Sequence, residues 1–182
     1  MSQKFNSRTG KIEKELDSLY ERLLANLERE WSVQQSLLHL LEEERTALTQ
    51  ASTEAIEETN ARKETLVLEE KENAAARRAI IDRMSIIGGW QGREVTLSFL
   101  ADSASDEAAA ESLRDYQQTL PRLVDTIRIH NRRNRELIHA ALADTEGALQ
   151  LIRSMVSPAA NYQKTGRFNA NAVQGTFIHR EG

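Results

Sequence analysis

Apolar residues recur at steps of three and four along most of this chain, which is the spacing of one face of an α-helix. From about Lys11 to Leu48 they form one stripe, and the opposite face carries acidic and basic side chains. Tyr20, Leu24 and Leu38 widen the stripe beyond the seam of a two-stranded coiled coil. The pattern therefore predicts a long first helix that contacts two neighbours.

A second helix is predicted to begin at Ser52 or Thr53, either of which can cap it, and to end near Ile87. Its apolar positions are sparse, and alanines and long charged side chains lie between them. Such residues form helices well but bury little apolar surface. We therefore expect this helix to depend on its neighbours, with Thr59 and Asn60 as a candidate hinge.

Three glycines within residues 88–92 predict the end of the second helix and a loop. Residues 95–102 then alternate apolar and polar side chains, which is a strand pattern, but no partner strand is predicted elsewhere. A short helix capped by Thr96 is the better interpretation, with Leu97 and Leu100 facing the core.

The most regular pattern opens at residues 103–105 and ends near Ser157, with a period close to that of a coiled coil. Pro121 interrupts it and predicts a kink rather than two separate helices. His130 and Asn134 lie on its apolar stripe, where a polar residue can fix the register of packing. The alternative is that the helix of a partner meets these two side chains.

Together these patterns predict an all-α protein, an elongated up-down bundle of three long helices with a short extra helix as an option. Residues 1–10 are predicted to be a flexible N-terminus, 11–157 the helical bundle, and 158–182 a mobile C-terminal tail. The tail is too polar to bury the apolar surface that ordering requires.

Composition excludes several classes of function. The 182 residues include no cysteine, which excludes disulfides and thiolate metal sites. No apolar run approaches the roughly 20 residues that span a membrane, and the N-terminus lacks the apolar stretch of a secretory signal. The net charge is -4 with both signs interspersed. We expect a cytoplasmic protein that neither binds nucleic acid nor inserts into a membrane.

Candidate catalytic chemistry is weak. Glu136 and His139 form a single Glu-x-x-His pair, whereas a di-iron site in a helical bundle needs two pairs and two further glutamates. The arginines of residues 127–135 favour a solvated face, paired with acids of the first two helices, over RNA binding. Neither a nucleophile–base constellation nor a phosphate loop is present. No catalytic residue, metal or cofactor is predicted, and the residues alone indicate a helical interaction protein.

Several stretches, in order along the chain, resemble the FlgN-type flagellar export chaperones. "LLEEERTAL" at residues 40–48 is similar to the Glu-rich end of the family's first helix, and Ile56 and Lys63 lie where its second helix has an aliphatic residue and a lysine. Residues 130–152 resemble the family's Asn-x-x-Asn stretch with two aliphatic residues after it. "YQKTGR" at residues 162–167 resembles its Tyr-x-x-x-Gly tail.

This resemblance implies a function without catalysis and without a cofactor. Such chaperones hold the hook–filament junction proteins, of the FlgK and FlgL type, in the cytoplasm. They bind the C-terminal amphipathic helix of this cargo and present the cargo to the flagellar export gate. Two other classes stay open: a structural coiled-coil or adaptor protein that acts by helix-mediated oligomerisation, and a helical-bundle enzyme with a metal centre.

The third helix supplies the predicted cargo groove, since an amphipathic helix can lay its apolar face along it. The predicted cargo-binding residues are Asn134, which sets the register, and Leu137, Ile138, Ala141, Leu142, Leu149, Ile152 and Val156. The alternative is that all of them are internal core. In the tail, Tyr162, Gly166 and Arg167 are predicted to dock at the export gate. Tyr162 offers a large contact area with a hydrogen-bonding tip, and its alternative is packing against the third helix.

Overall fold

The structure, a computed structural model, describes residues 2–156, with side chains from residue 10 onward. These residues form four helices, α1 (Ser2–Thr49), α2 (Thr53–Gly88), α3 (Leu97–Ser103) and α4 (Glu107–Val156). The all-α prediction is therefore confirmed for this part of the chain, although four helices replace the predicted three, because the optional short helix forms. The predictions for residues 158–182 lie outside the described residues.

Side-chain caps explain where the helices begin. The Ser52 hydroxyl accepts a hydrogen bond from the Ala55 N–H (3.4 Å), and the Thr96 hydroxyl accepts one from the Phe99 N–H (3.2 Å). Ser52 was one of the two predicted caps of α2, and the predicted cap Thr96 is confirmed. The predicted opening of the last helix at residues 103–105 was too early, because the Asp106 carboxylate caps α4 instead.

One long helix differs from its predicted course. α1 begins at Ser2 rather than near Lys11. α4 continues through Pro121 as a single helix, as predicted. α2 likewise continues through the candidate hinge at Thr59, whose hydroxyl donates to the backbone oxygens of Ala55 and Ile56.

The chain divides into two compact units, Met1–Ile138 and His139–Gly182. The first unit contains α1, α2, α3 and the first part of α4, whereas the described part of the second unit is the rest of α4. None of the helices in the described ranges has the length and apolar character that crossing a membrane would require.

In the first unit α1 and α2 are antiparallel. Glu15 near the start of α1 pairs with Arg83 near the end of α2, and Glu43 near the end of α1 pairs with Arg62 early in α2, both at 2.6 Å. These salt bridges are exposed and contribute little to stability. They nevertheless show the direction of the two helices.

α4 runs parallel to α1 in the first unit. The Ser105 hydroxyl just before α4 donates to Asp17 (3.1 Å), and farther along Asn134 donates to the backbone oxygen of Leu41 (2.7 Å). Since α2 is antiparallel to α1, the three long helices alternate in direction within this unit, as the up-down prediction required.

The core lies where all four helices meet, with the short α3 closing it. Leu100 of α3 is fully buried, and the Tyr20 hydroxyl of α1 donates to its backbone oxygen (2.9 Å). α2 has only three buried residues, as its sparse pattern predicted. The buried cluster consists of Leu19, Tyr20, Leu23, Leu27, Ile80, Met84, Leu100, Ala101, Ala110, Leu113 and Leu120.

Because of Tyr20, the free energy of unfolding is expected to depend on pH in the alkaline range. Burial, and secondarily the nearby Asp17 carboxylate, raises the pKa of Tyr20 from 10.0 to about 12. The neutral phenol is favoured in the folded state, so its contribution is complete below pH 10 and is lost as the pH rises towards 12. We expect the free energy of unfolding in urea to fall over this range and to fall less steeply in Tyr20→Phe. A dependence on pH that is as steep in Tyr20→Phe as in the natural chain would contradict this assignment. The variant for comparison is Tyr116→Phe, which removes the hydroxyl of a half-buried tyrosine instead of a buried one.

The loop after α2 requires glycine at position 88. A Cβ at Gly88 would overlap the Trp90 ring, which in turn packs edge-on against Phe99 with centroids 5.1 Å apart. We expect Gly88→Ala to displace the indole, to destabilise the first unit by about 1–3 kcal/mol, and to shift tryptophan emission. Gly147→Ala is the control, because a Cβ there meets no atom within 4 Å.

Candidate partner-binding surface

The second unit presents a continuous run of exposed side chains. From His139 to Val156 every side chain of α4 is exposed. Six of them are large and apolar: Leu142, Leu149, Leu151, Ile152, Met155 and Val156. Single exposed apolar residues are ordinary on a protein surface, but six on one short segment are typical of an interaction surface.

Four of the six fall on one side of the helix. An α-helix turns by about 100° per residue, so steps of three, four and seven return to the same side. Leu151 is two residues from Leu149 and lies on the opposite side, and Met155, four residues after Leu151, lies closer to Leu151 than to Leu149 around the helix. We call the set that shares one side the exposed stripe; it consists of Leu142, Leu149, Ile152 and Val156.

Most of the predicted cargo-binding residues of the second unit belong to this stripe. Leu142, Leu149, Ile152 and Val156 are between 48% and 75% exposed, and Ala141 beside them is also exposed. The alternative that they are internal core does not hold for the described residues. Sequence reasoning named neither Leu151 nor Met155, which are 61% and 76% exposed and lie four residues apart on the other side of the helix.

The remaining predicted residues lie in the first unit and differ from one another. Leu137 is half-buried and Ile138 is 37% exposed. Asn134 is buried, with only 2% of its surface exposed, so it contacts the protein's own helices and is not part of the accessible surface. Of its two interpretations, the fixing of register inside the protein fits this environment. Tyr162, Gly166 and Arg167 lie outside the described residues.

Asn134 belongs to a small polar cluster that joins three helices. Its side-chain nitrogen donates to the Leu41 backbone oxygen (2.7 Å) and to Oε2 of Glu44 (2.9 Å), while Lys63 of α2 donates to Oε1 of Glu44. Both carboxylate oxygens of Glu44 are therefore paired, as a side chain that is only 2% exposed requires. We call Glu44, Lys63 and Asn134 the Glu44 cluster.

A second buried carboxylate forms an ion pair between α1 and α2. Glu30 is 5% exposed, and Nη1 of Arg77 donates to both of its oxygens (2.7 and 2.6 Å). Burial raises the pKa of Glu30, the Arg77 charge opposes that change, and the Glu70 carboxylate adds to it. The pair lines a cavity of about 510 Å³ whose α4 wall includes Leu120 and Pro121. Because each charge neutralises the other, the pair suits packing rather than acid–base chemistry.

The arginines of α4 do not behave as predicted in one respect. Arg128 pairs with Asp125 of the same helix (3.0 Å) and not with an acid of α1 or α2. Arg132, Arg133 and Arg135 are exposed, as a solvated face requires.

The chain was compared with known families and proteins. The model of the family described as "FlgN protein" matches residues 19–170. Searches of curated proteins and of solved structures found no match. The family match covers most of the chain and extends from α1 past the end of α4. The general role of this family is that of a flagellar export chaperone rather than an enzyme. The chain therefore belongs to the FlgN family of flagellar export chaperones.

Proposed function

We propose that this chain binds the C-terminal amphipathic helix of a hook–filament junction protein, of the FlgK or FlgL type, in the cytoplasm and presents it to the flagellar export gate. The observation that carries this proposal is the exposed stripe of α4. A helix that is apolar on one side and uncovered by the described part of the chain offers the apolar face of a cargo helix a place to pack.

A comparison of the free energy of apolar burial with the cost of association indicates that the cargo contacts more than the exposed stripe. Burying the exposed half of four large apolar side chains contributes about 1 kcal/mol each, or roughly 4 kcal/mol in total. Association alone costs about 4–15 kcal/mol, so the stripe by itself gives little net affinity. We therefore retain Leu137, Ile138 and Ala141 in the proposed cargo surface, since all three are at least partly exposed.

The tail has a separate role in this proposal. Tyr162, Gly166 and Arg167 dock at the export gate, a role supported by the resemblance of "YQKTGR" to the family's tail. Removal of residues 161–182 is expected to spare cargo binding and to impair docking at the gate. A loss of cargo affinity in the truncated chain would overturn this division of roles.

Native mass spectrometry of the chain mixed with a peptide of a junction protein's C-terminal helix tests the proposal. We expect a complex of the chain with the peptide. The competing candidate is homo-oligomerisation, which the same stripe would support by packing against its copy in a second chain. A stable homodimer that ignores the peptide would overturn the proposed cargo binding and favour the structural role.

A further inference from the structure

The Glu44 cluster lies at the last buried residue of α4. Asn134 is buried, and every later described residue of the helix is half-buried or exposed. A buried charge at such a point is costly, and replacing buried ion pairs with apolar side chains often preserves or increases stability. Stability alone therefore does not explain why a charged cluster lies at the point where the burial of α4 ends.

We infer that the Glu44 cluster is a positioning device for cargo binding, an inference that rests on the proposed function. The Asn134 side chain uses one nitrogen to donate to two acceptors on α1, the Leu41 backbone oxygen and the Glu44 carboxylate. Two directed bonds from a short side chain fix both the axial position and the rotation of α4 on α1. Apolar contacts are non-directional and leave both free to vary.

The rotation of α4 matters because part of the proposed cargo surface lies only one helical turn after Asn134. Leu137 and Ile138 come three and four residues after Asn134, so they lie on the same side of the helix one turn on. A shift of α4 by a single residue would rotate that side by about 100°. The cluster thus keeps Leu137 and Ile138 aimed where the cargo helix packs.

The side-chain chemistry at each position is specific to this role. An aspartate at 134 would place a second carboxylate against Glu44, and a leucine would leave Oε2 of Glu44 without a donor. Lys63 supplies the positive charge and is only partly exposed, at 23% of its side chain. Asn131, the first asparagine of the same Asn-x-x-Asn stretch, is exposed, so the two asparagines have different environments.

The test separates positioning from stability by making the cluster apolar. In the triple variant Glu44→Met, Lys63→Met, Asn134→Leu, we expect the thermal midpoint to stay the same or rise. The Kd for the cargo peptide, measured by isothermal titration calorimetry, is expected to increase about tenfold. The matched control is Glu43→Gln with Arg62→Gln, which removes the neighbouring exposed α1–α2 pair and is expected to leave the Kd unchanged.

A stable triple variant that binds the peptide as tightly as the natural chain would overturn the inference. A natural chain that binds no peptide would overturn the proposed function and this inference with it. If the triple variant unfolds, the cargo affinities of two single variants test the positioning role instead. Glu44→Gln keeps an oxygen for Asn134 and is expected to bind within about threefold of the natural chain, while Asn134→Leu binds about tenfold more weakly. Equal affinities of these two variants would contradict the positioning role.

Discussion

Leu149→Asp is expected to weaken binding of a cargo C-terminal helix by about 30-fold, whereas Leu151→Asp changes it by less than about threefold. The two leucines are 48% and 61% exposed in the same helix, so neither substitution disturbs packing. They differ in direction, because Leu149 belongs to the exposed stripe and Leu151 lies on the other side. A carboxylate at 149 would be desolvated against the apolar face of the cargo without a partner.

Calorimetric titration of each variant with the same peptide measures this difference. Circular dichroism should give the same helix content for both variants, which makes Leu151→Asp an internal control for any general effect of the added charge. Equal loss of affinity in the two variants would mean that the binding face is not the exposed stripe.

Leu113→Ala is expected to destabilise the first unit by about 2–5 kcal/mol, whereas Leu142→Ala changes stability by less than about 0.5 kcal/mol. Both residues are leucines of α4, but Leu113 is fully buried and Leu142 is 55% exposed. Truncating Leu113 leaves a cavity among the side chains of four helices. Truncating Leu142 removes atoms that water already contacts.

Urea denaturation followed by circular dichroism measures both changes. For cargo affinity we expect the opposite order, with Leu142→Ala weakening binding more than a folded Leu113→Ala does. If Leu142→Ala proved as destabilising as Leu113→Ala, the stripe would be covered by another part of the chain or by a second copy. The proposed cargo surface would then be occupied in the free protein.

Local patterns in the sequence were sufficient for the helices and for most of their ends. Ser52 and Thr96 were predicted as caps because a hydroxyl before an apolar repeat satisfies free backbone N–H groups wherever the helix later packs. Leu100 was predicted to face the core, and it is fully buried. The start of α1 was missed because helix propensity, unlike an apolar stripe, gives no sharp boundary.

The candidate site was predicted only in part. The repeat along α4 continues with the same spacing from Leu113 to Val156, so nothing in it marks where the covered part ends. The sequence predicted the stripe residues to bind cargo, yet it left open whether they were core or surface. Asn134 was placed on the right face but its contacts were not foreseen, because its partners Leu41 and Glu44 are 93 and 90 residues away in the chain.

The sequence by itself determined that this protein is helical, where its helices are capped, and that it resembles the FlgN family, because propensity, capping and motif spacing are local properties. Only the tertiary structure decided which apolar residues of α4 are covered, since burial depends on neighbouring helices that are distant in the chain. It also brought Glu44, Lys63 and Asn134 together. A buried carboxylate is tolerated only when donors converge on it, and that convergence exists only once three helices have packed.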